Sequence, residues 1–151
     1  ADIGNAYLNA RNKERVHVIC GPELFGPEAE GKTAVIVRAL YGLKSAGNAW
    51  RHHFSTYIRT ELGYETTVAD NDVYRKATVK PDGTKCYSYF IVYVDDIISI
   101  DTSPKRIMNK INNDFRLKDG IDTPKMYLGT DVKAWDNQMG NGLQPLLMQV
   151  L

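Results

Sequence analysis

Two adjacent carboxylates, Asp95 and Asp96, stand in the stretch Tyr93-Val94-Asp95-Asp96, between the apolar runs Tyr87 to Val92 and Ile97 to Ile100. β-Branched and aromatic residues dominate both runs, so each reads as a buried strand. The acidic pair between them reads as the tip of a β-hairpin. Ionised side by side on a tight turn, the two groups repel, and a hard divalent cation such as Mg²⁺ relieves the repulsion by taking carboxylate oxygens. An arbitrary Asp-Asp pair is more often a solvated turn. Here the near-continuous apolar flanks set the pair at the rim of a core, which favours a metal site.

The elements that must position this tip follow from the apolar pattern. Ala1 to Ala10 is short and mixed. Val16 to Cys20 alternates as a strand, Gly21 to Thr33 reads as a loop rich in Gly, Pro and Glu, and Ala34 to Val37 as a second short strand. Leu43, Ala46, Trp50, Phe54, Tyr57, Ile58 and Leu62 recur three or four apart and make one stripe of a helix, with Gly63 suited to cap its end. Asp72 to Val79 reads as a strand that turns at Pro81-Asp82-Gly83-Thr84 into the Tyr87 to Val94 strand. Ser103 and Pro104 open a second helix whose buried face is Ile107, Met108, Ile111 and Phe115. Met126 to Val132 is a last strand. Beyond Trp135 the periodicity stops, and 135–151 reads as an irregular tail. Strands next to strands with two interleaved helices predict an α+β fold with a largely antiparallel sheet.

Composition narrows the class. The chain has 151 residues, with 43% hydrophobic and 25% charged, enough for one ordinary domain with a core. No run approaches the length of a membrane span. The net charge of +1 gives no bulk argument for nucleic acid, although basic residues gather at Arg11, Lys13 and Arg15 and again at Arg38, Lys44, Arg51, His52 and His53. Cys20 and Cys86 lack paired spacing, which points to a reducing compartment and away from a zinc site. The opening Ala-Asp, without Met or signal peptide, reads as a segment of a longer protein. Gly26 to Thr33 matches G-x-x-x-x-G-K-[ST] literally. A phosphate cradle needs a helix opening at the Lys, whereas Ala34 to Val37 reads as a strand, and Glu28 and Glu30 would face the phosphates. The three histidines, His17, His52 and His53, have no metal-ligand spacing.

Three blocks together carry more. Asp2-Ile3-Gly4-Asn5-Ala6-Tyr7-Leu8-Asn9, Leu40-Tyr41-Gly42-Leu43-Lys44-Ser45-Ala46 and Tyr93-Val94-Asp95-Asp96 occur in that order. They resemble the D-V-K-x-A-F-L-N-G, S-L-Y-G-L-K-Q-A-P and Y-V-D-D blocks of the reverse transcriptase of copia-type LTR retrotransposons. Trp50 fits the family's W, Phe115-Arg116-Leu117-Lys118-Asp119 resembles F-x-M-K-D-L, and Tyr127-Leu128-Gly129 resembles F-L-G. The resemblance covers residues 1 to 134. Gly47 and Asn48 stand where the family has Pro and Arg, and Thr130-Asp131 replaces Ile-Glu.

The resemblance implies a polymerase palm with part of the fingers over 1–134, its mostly antiparallel sheet packed by two main helices. It implies RNA-directed DNA polymerase activity, with Asp2, Asp95 and Asp96 as catalytic and metal-binding carboxylates for two Mg²⁺ or Mn²⁺ ions. Ile3, Tyr7, Tyr41, Gly42 and Lys44 would border the incoming nucleotide, Tyr7 as a gate against a 2′-hydroxyl. Tyr127, Leu128 and Gly129 would position the primer. The implied partners are an RNA template, a DNA primer, a dNTP, and integrase and RNase H domains of one polyprotein. The implied location is intracellular, in a cytoplasmic virus-like particle. The other readings are a catalytically inactive or nucleic-acid-binding remnant and, more distantly, a P-loop NTPase. Asp2 lies one residue from the first of the chain, and chain ends fray unless tied down.

Overall fold

The computed structural model describes residues 1–118, 120–134 and 146–149. Asp119, last of the F-R-L-K-D block, and residues 135–145 of the expected tail lie outside that description. In chain order the elements are β1 (His17–Ile19), α1 (Pro22–Phe25), β2 (Thr33–Val35), α2 (Ala46–Thr60), β3 (Glu65–Thr66), β4 (Val73–Val79), β5 (Lys85–Tyr93), β6 (Asp96–Ile100), α3 (Pro104–Asp114), β7 (Met126–Tyr127), β8 (Thr130–Ala134) and β9 (Leu146–Gln149). All strand pairings are antiparallel, and the class is α+β.

The central sheet has the order β3-β4-β5-β6. Its register sets Tyr74 opposite Phe90 and Phe90 opposite Ser99, so one pleat face carries Tyr74, Phe90 and Ile97 into the core. The two main helices cover this face. Ala46, Ala49, Trp50, Phe54 and Ile58 make the buried stripe of α2, as their spacing dictates. Phe54 is the hub. It stacks on Trp50 and Tyr57 at centroid distances of 4.9 and 6.1 Å and meets Phe90 and Phe115 edge-on at 6.3 and 5.3 Å. Past the end of α2 the chain turns at Gly63, whose φ of 71° suits glycine, and Lys76 Nζ donates to the Leu62 carbonyl at 2.8 Å. In α3, Pro104 takes the first turn, where its missing N–H costs nothing, and Met108 and Ile111 face inward.

Several elements differ from the sequence expectation. The helix stripe begins at Ala46 rather than Leu43, because Leu43 closes a turn by donating its N–H to the Leu40 carbonyl. The Gly21 to Thr33 loop contains the single turn α1 and a 3₁₀ turn at Pro27–Ala29, each started by a proline. The second strand is shifted to Thr33–Val35, and Val37, outside it, is 66% exposed. Lys32 therefore opens no helix, which removes the P-loop. β3 was not expected, since two exposed polar residues carry no apolar signal. Met126 to Val132 is not one strand but two, split at Leu128-Gly129. Both residues have positive φ, 50° and 76°, as a two-residue primed hairpin turn requires. The tail is not irregular throughout, because Leu146–Gln149 pairs with β8. Its apolar run, Leu146-Leu147-Met148, extends a sheet edge, and isolation behind Gly and Asn hid it.

Phe54→Ala should cost about 3–5 kcal/mol, the range for emptying an aromatic core position. Urea unfolding of the variant against the parent chain measures this, and a loss below about 1 kcal/mol would mean the aromatic hub is not the centre of the core.

Candidate active site

The corner around the acidic hairpin is assembled by backbone. Ala1 to Ile3 runs between the start of β6 and the segment 116–118. On the hairpin side, Ile3 N donates to the Asp95 carbonyl at 2.8 Å and Ile97 N to the Ala1 carbonyl at 2.9 Å. On the other side, Gly4 N donates to the Arg116 carbonyl at 2.7 Å and Lys118 N to the Asp2 carbonyl at 3.0 Å. Asp2 consequently stands opposite Asp96, and Ile3 opposite Leu117, as antiparallel bridge partners. Ile3 is fully buried and anchors the segment. A Cβ on Gly4 would come within 3.1 Å of the Arg116 carbonyl oxygen, so the approach suits glycine. The fraying expected of Asp2 is overturned, because the segment is bonded along both edges.

The hairpin tip is a two-residue turn. Tyr93 pairs with Asp96, which leaves Val94 and Asp95 as its centre. Val94 has φ 54°, a left-handed conformation that a β-branched residue adopts at a cost of roughly 1–3 kcal/mol. Trp50 of α2, only 2% exposed, donates its indole N–H to the Val94 carbonyl at 2.6 Å. The helix thus holds the strained turn, and with it the two carboxylates.

The charges at this corner conflict. Burial, then the neighbouring Asp2 and Asp95 carboxylates, push the Asp96 carboxyl above the ordinary Asp range. Lys118 Nζ lies 2.8 Å from Asp2 Oδ1, a buried oxygen that no other donor reaches. Asp2 and Asp95 in turn raise the Lys118 ammonium, Asp2 most through direct contact. As they stand, no three carboxylate, imidazole or thiol groups among the described residues converge closely enough to enclose an ion. The donor set nevertheless suits a hard divalent cation. It is all carboxylate oxygen, with one buried Asp2 oxygen that takes its countercharge from the half-exposed Lys118.

Other sequence candidates gather here unevenly. The Tyr7 and Tyr41 rings stack at 4.3 Å, and both Asp95 and Asp2 act electrostatically on the Tyr41 hydroxyl, which burial first and then these charges raise. The Tyr7 hydroxyl reaches the start of α2, where a Cβ added to Gly47 would sit 3.6 Å away in ordinary contact. The departure from Pro at that position therefore leaves the ring undisturbed. Gly42 has φ 95° with open space beside it, and Lys44 is exposed. Tyr127 is 7% exposed with its hydroxyl unpartnered. Burial, then the charges of Asp96, Asp70 and Asp72, push it up to about 12. Leu128 and Gly129 are exposed at the β7–β8 turn. Two contributors escaped the sequence reading. Lys118 was visible only as one letter of a block, and Trp50 as part of a helix stripe and as the family's W. Neither the ion pair nor the indole bond has a sequence signature.

Residues 1–148 match the family model described as reverse transcriptase (RNA-dependent DNA polymerase). The match runs past the limit of 134 read from the sequence. The chain is similar to the Retrovirus-related Pol polyprotein from transposon RE1 of Arabidopsis thaliana, 29% identical over 135 residues. It is similar also to that from transposon RE2 of the same plant, 26% identical over 135 residues. In both cases the aligned part is 87% of this chain and 9% of the relative, so the chain spans a small part of the polyproteins it matches. No solved structure matches. Among the described residues, no helix is long and apolar enough to cross a membrane.

Trp50→Phe keeps the ring and removes the donor. It should lower stability by about 1 kcal/mol, the net worth of one such bond. Val94→Gly in the same background should recover part of the loss, because glycine adopts positive φ freely. Equal urea midpoints for parent and Trp50→Phe would mean the bond does not hold the turn. The raised Asp96 carboxyl gives a second expectation. A folded-state pKa above the unfolded one means the folded chain binds the extra proton. Stability is therefore lost as pH rises through that window. Asp96→Asn should raise the melting temperature more at pH 7 than at pH 3, and thermal unfolding at the two pH values checks the sign.

Proposed function

The chain belongs to the reverse transcriptase (RNA-dependent DNA polymerase) family, of the copia type, and we propose that it carries the catalytic corner of such an enzyme, a polymerase palm with part of the fingers over 1–134. The observation that carries this reading is the backbone pairing that sets Asp2 beside Asp96 at the tip of the Asp95-Asp96 hairpin. No local sequence rule brings these residues together, and nucleotidyl transfer needs clustered carboxylates.

In this reading Asp2, Asp95 and Asp96 hold two divalent ions, Mg²⁺ or Mn²⁺. When bound, these supply positive charge to the attacking and leaving oxygens of an in-line displacement. The primer 3′-oxygen bonds to the α-phosphorus of a dNTP, and the bond to pyrophosphate breaks. The chain's own residues do the positioning. Trp50 fixes the turn on which Asp95 and Asp96 ride. Ile3 buries its side chain and locks Asp2 in register. Lys118 balances Asp2 until cations and phosphates arrive. Tyr7, braced by Tyr41, stands where a bulky ring rejects a 2′-hydroxyl by steric exclusion. Gly42 and Lys44 border the nucleotide, and Tyr127, Leu128 and Gly129 position the primer end. An RNA template, a DNA primer and a dNTP are the substrates. Integrase and RNase H domains are polyprotein neighbours, and a cytoplasmic virus-like particle is the setting. The pairing of Lys118 with Asp2, where a cation would sit, also favours a second reading, a remnant that binds nucleic acid without catalysis.

Primer extension on an RNA template separates the two. In a polymerase restored with its flanking polyprotein sequence, Asp95→Asn should reduce synthesis by at least about a thousandfold, the scale of losing a term worth roughly 4 kcal/mol in the transition state. Tyr7→Val should raise ribonucleotide incorporation relative to deoxynucleotide. The 151 residues alone should give no synthesis, for want of further phosphate contacts. A restored parent enzyme with no template-dependent synthesis favours the remnant, and an unchanged sugar ratio reduces Tyr7 to packing.

A further inference from the structure

A flank of α2 beside Trp50, carrying Ala49, His52, His53, Thr56 and Tyr57, borders a second, shallow groove. The chain leaves the Tyr7 turn as an extended segment that pairs with the stretch ahead of Tyr41. Asn12 N donates to the Val37 carbonyl at 2.9 Å and Ala39 N to the Ala10 carbonyl at 3.1 Å. This ribbon sets Arg11 directly opposite Arg38 as antiparallel bridge partners. Arg11, Lys13 and Arg38 then face His52 and His53 of α2 across a depression of about 520 Å³.

Like charges placed opposite one another across a ribbon destabilise it, and here nothing offsets them. The ion pairs formed among the described residues are Arg51–Asp72, Lys110–Glu61 and Lys118–Asp2, and none includes a cation of this groove. Glu61, the acid on its lining, lies 3.7 Å from Lys110. Arg38 Nη1 donates to the Asn9 carbonyl at 3.2 Å, which orients the guanidinium without neutralising it. The crowding is also felt on the helix side, where burial and then the charges of Arg38 and His52 lower the His53 imidazole. The total charge is +1, so this is a local concentration of positive charge on a nearly neutral chain. A concave surface with two guanidinium groups, an ammonium and two imidazoles matches successive phosphate oxygens by its positive charge and its N–H donors.

We propose that the groove formed by Arg11, Lys13, Arg38, His52 and His53 is a phosphate-backbone site for a nucleic-acid strand, lined by none of the three carboxylates of the acidic corner. The choice of nucleic acid as the source of the phosphates rests on the polymerase reading, while the preference for phosphate rests on the groove alone. Such a site holds a strand in place without reading its bases.

The test is fluorescence anisotropy of a short labelled RNA–DNA duplex with the full 151-residue chain across a salt series. The double variant Arg11→Gln/Arg38→Gln should weaken binding at least about fivefold. It should also make the slope of log K against log salt shallower by about 2, near one unit per lost phosphate contact. Arg11→Lys/Arg38→Lys, which keeps the charges, should stay within about threefold of the parent and separates charge from misfolding. Lys80→Gln/Lys85→Gln removes two charges from the distant β4–β5 turn and should leave the slope unchanged. Equal losses from the distant pair and the groove pair, or no loss from the groove pair, overturn the proposal. Competition by inorganic pyrophosphate at equal phosphate concentration would assign the groove to small phosphates and also overturn it. Asp95→Asn should leave this binding intact. Duplex binding that persists while a restored Asp95 enzyme synthesises nothing would sink the catalytic reading and leave the groove standing.

Discussion

Three carboxylates that repel one another occupy one corner of this molecule, and the chain spends backbone hydrogen bonds to keep them there. Asp95 and Asp96 share a two-residue turn, and Asp2 is bonded alongside. Side-chain attraction cannot make such an arrangement, since its charges oppose it. Backbone pairing can, because each N–H and C=O must find a partner regardless of the side chains it carries. The repulsion is visible in the raised Asp96 carboxyl and in the recruitment of Lys118. What the fold supplies at this corner is a concentration of negative charge that Lys118 meets at Asp2.

Helix α2 is the member through which the corner communicates with the rest of the chain. Its buried stripe fills the core through Phe54 and Trp50, and the same Trp50 reaches the turn carbonyl. One residue therefore serves packing and positioning at once. Its outer flank presents His52 and His53 toward the basic ribbon. The acidic corner and the basic groove thus border the same helix through different residues.

What could be read from the residues was local. The β5–β6 hairpin carries continuous β-branched runs around an acidic turn, and α2 and α3 carry stripes at helical spacing, so all three were legible. The position of Asp2 came only through likeness to a family. The bonds that fix it join segments far apart in sequence, and pairing between distant segments leaves no periodic trace in either. β3 was invisible because its residues are exposed and polar, and β9 because turn-forming residues surround it. The split of β7 from β8 was hidden by Leu128, a residue ordinarily avoided at positive φ. Arg38 was seen as a charge and Lys118 as one letter of a block, but neither says what it faces until the fold brings the partner.

The Ala1 clamp also sets an order on how the molecule assembles. The Ile97 N–H donates to the Ala1 carbonyl at 2.9 Å, a contact that joins residues 96 apart. The β5–β6 turn, by contrast, closes between residues nearly adjacent in the chain. Loop-closure entropy must be met before a distant contact is rewarded. The hairpin can form by itself, but the first strand segment has nowhere to dock until β6 and the 116–118 stretch are both in place. The carboxylate corner thus depends on pairing between segments far apart in the chain, and through Ile3 and Leu117 it shares that dependence with the core.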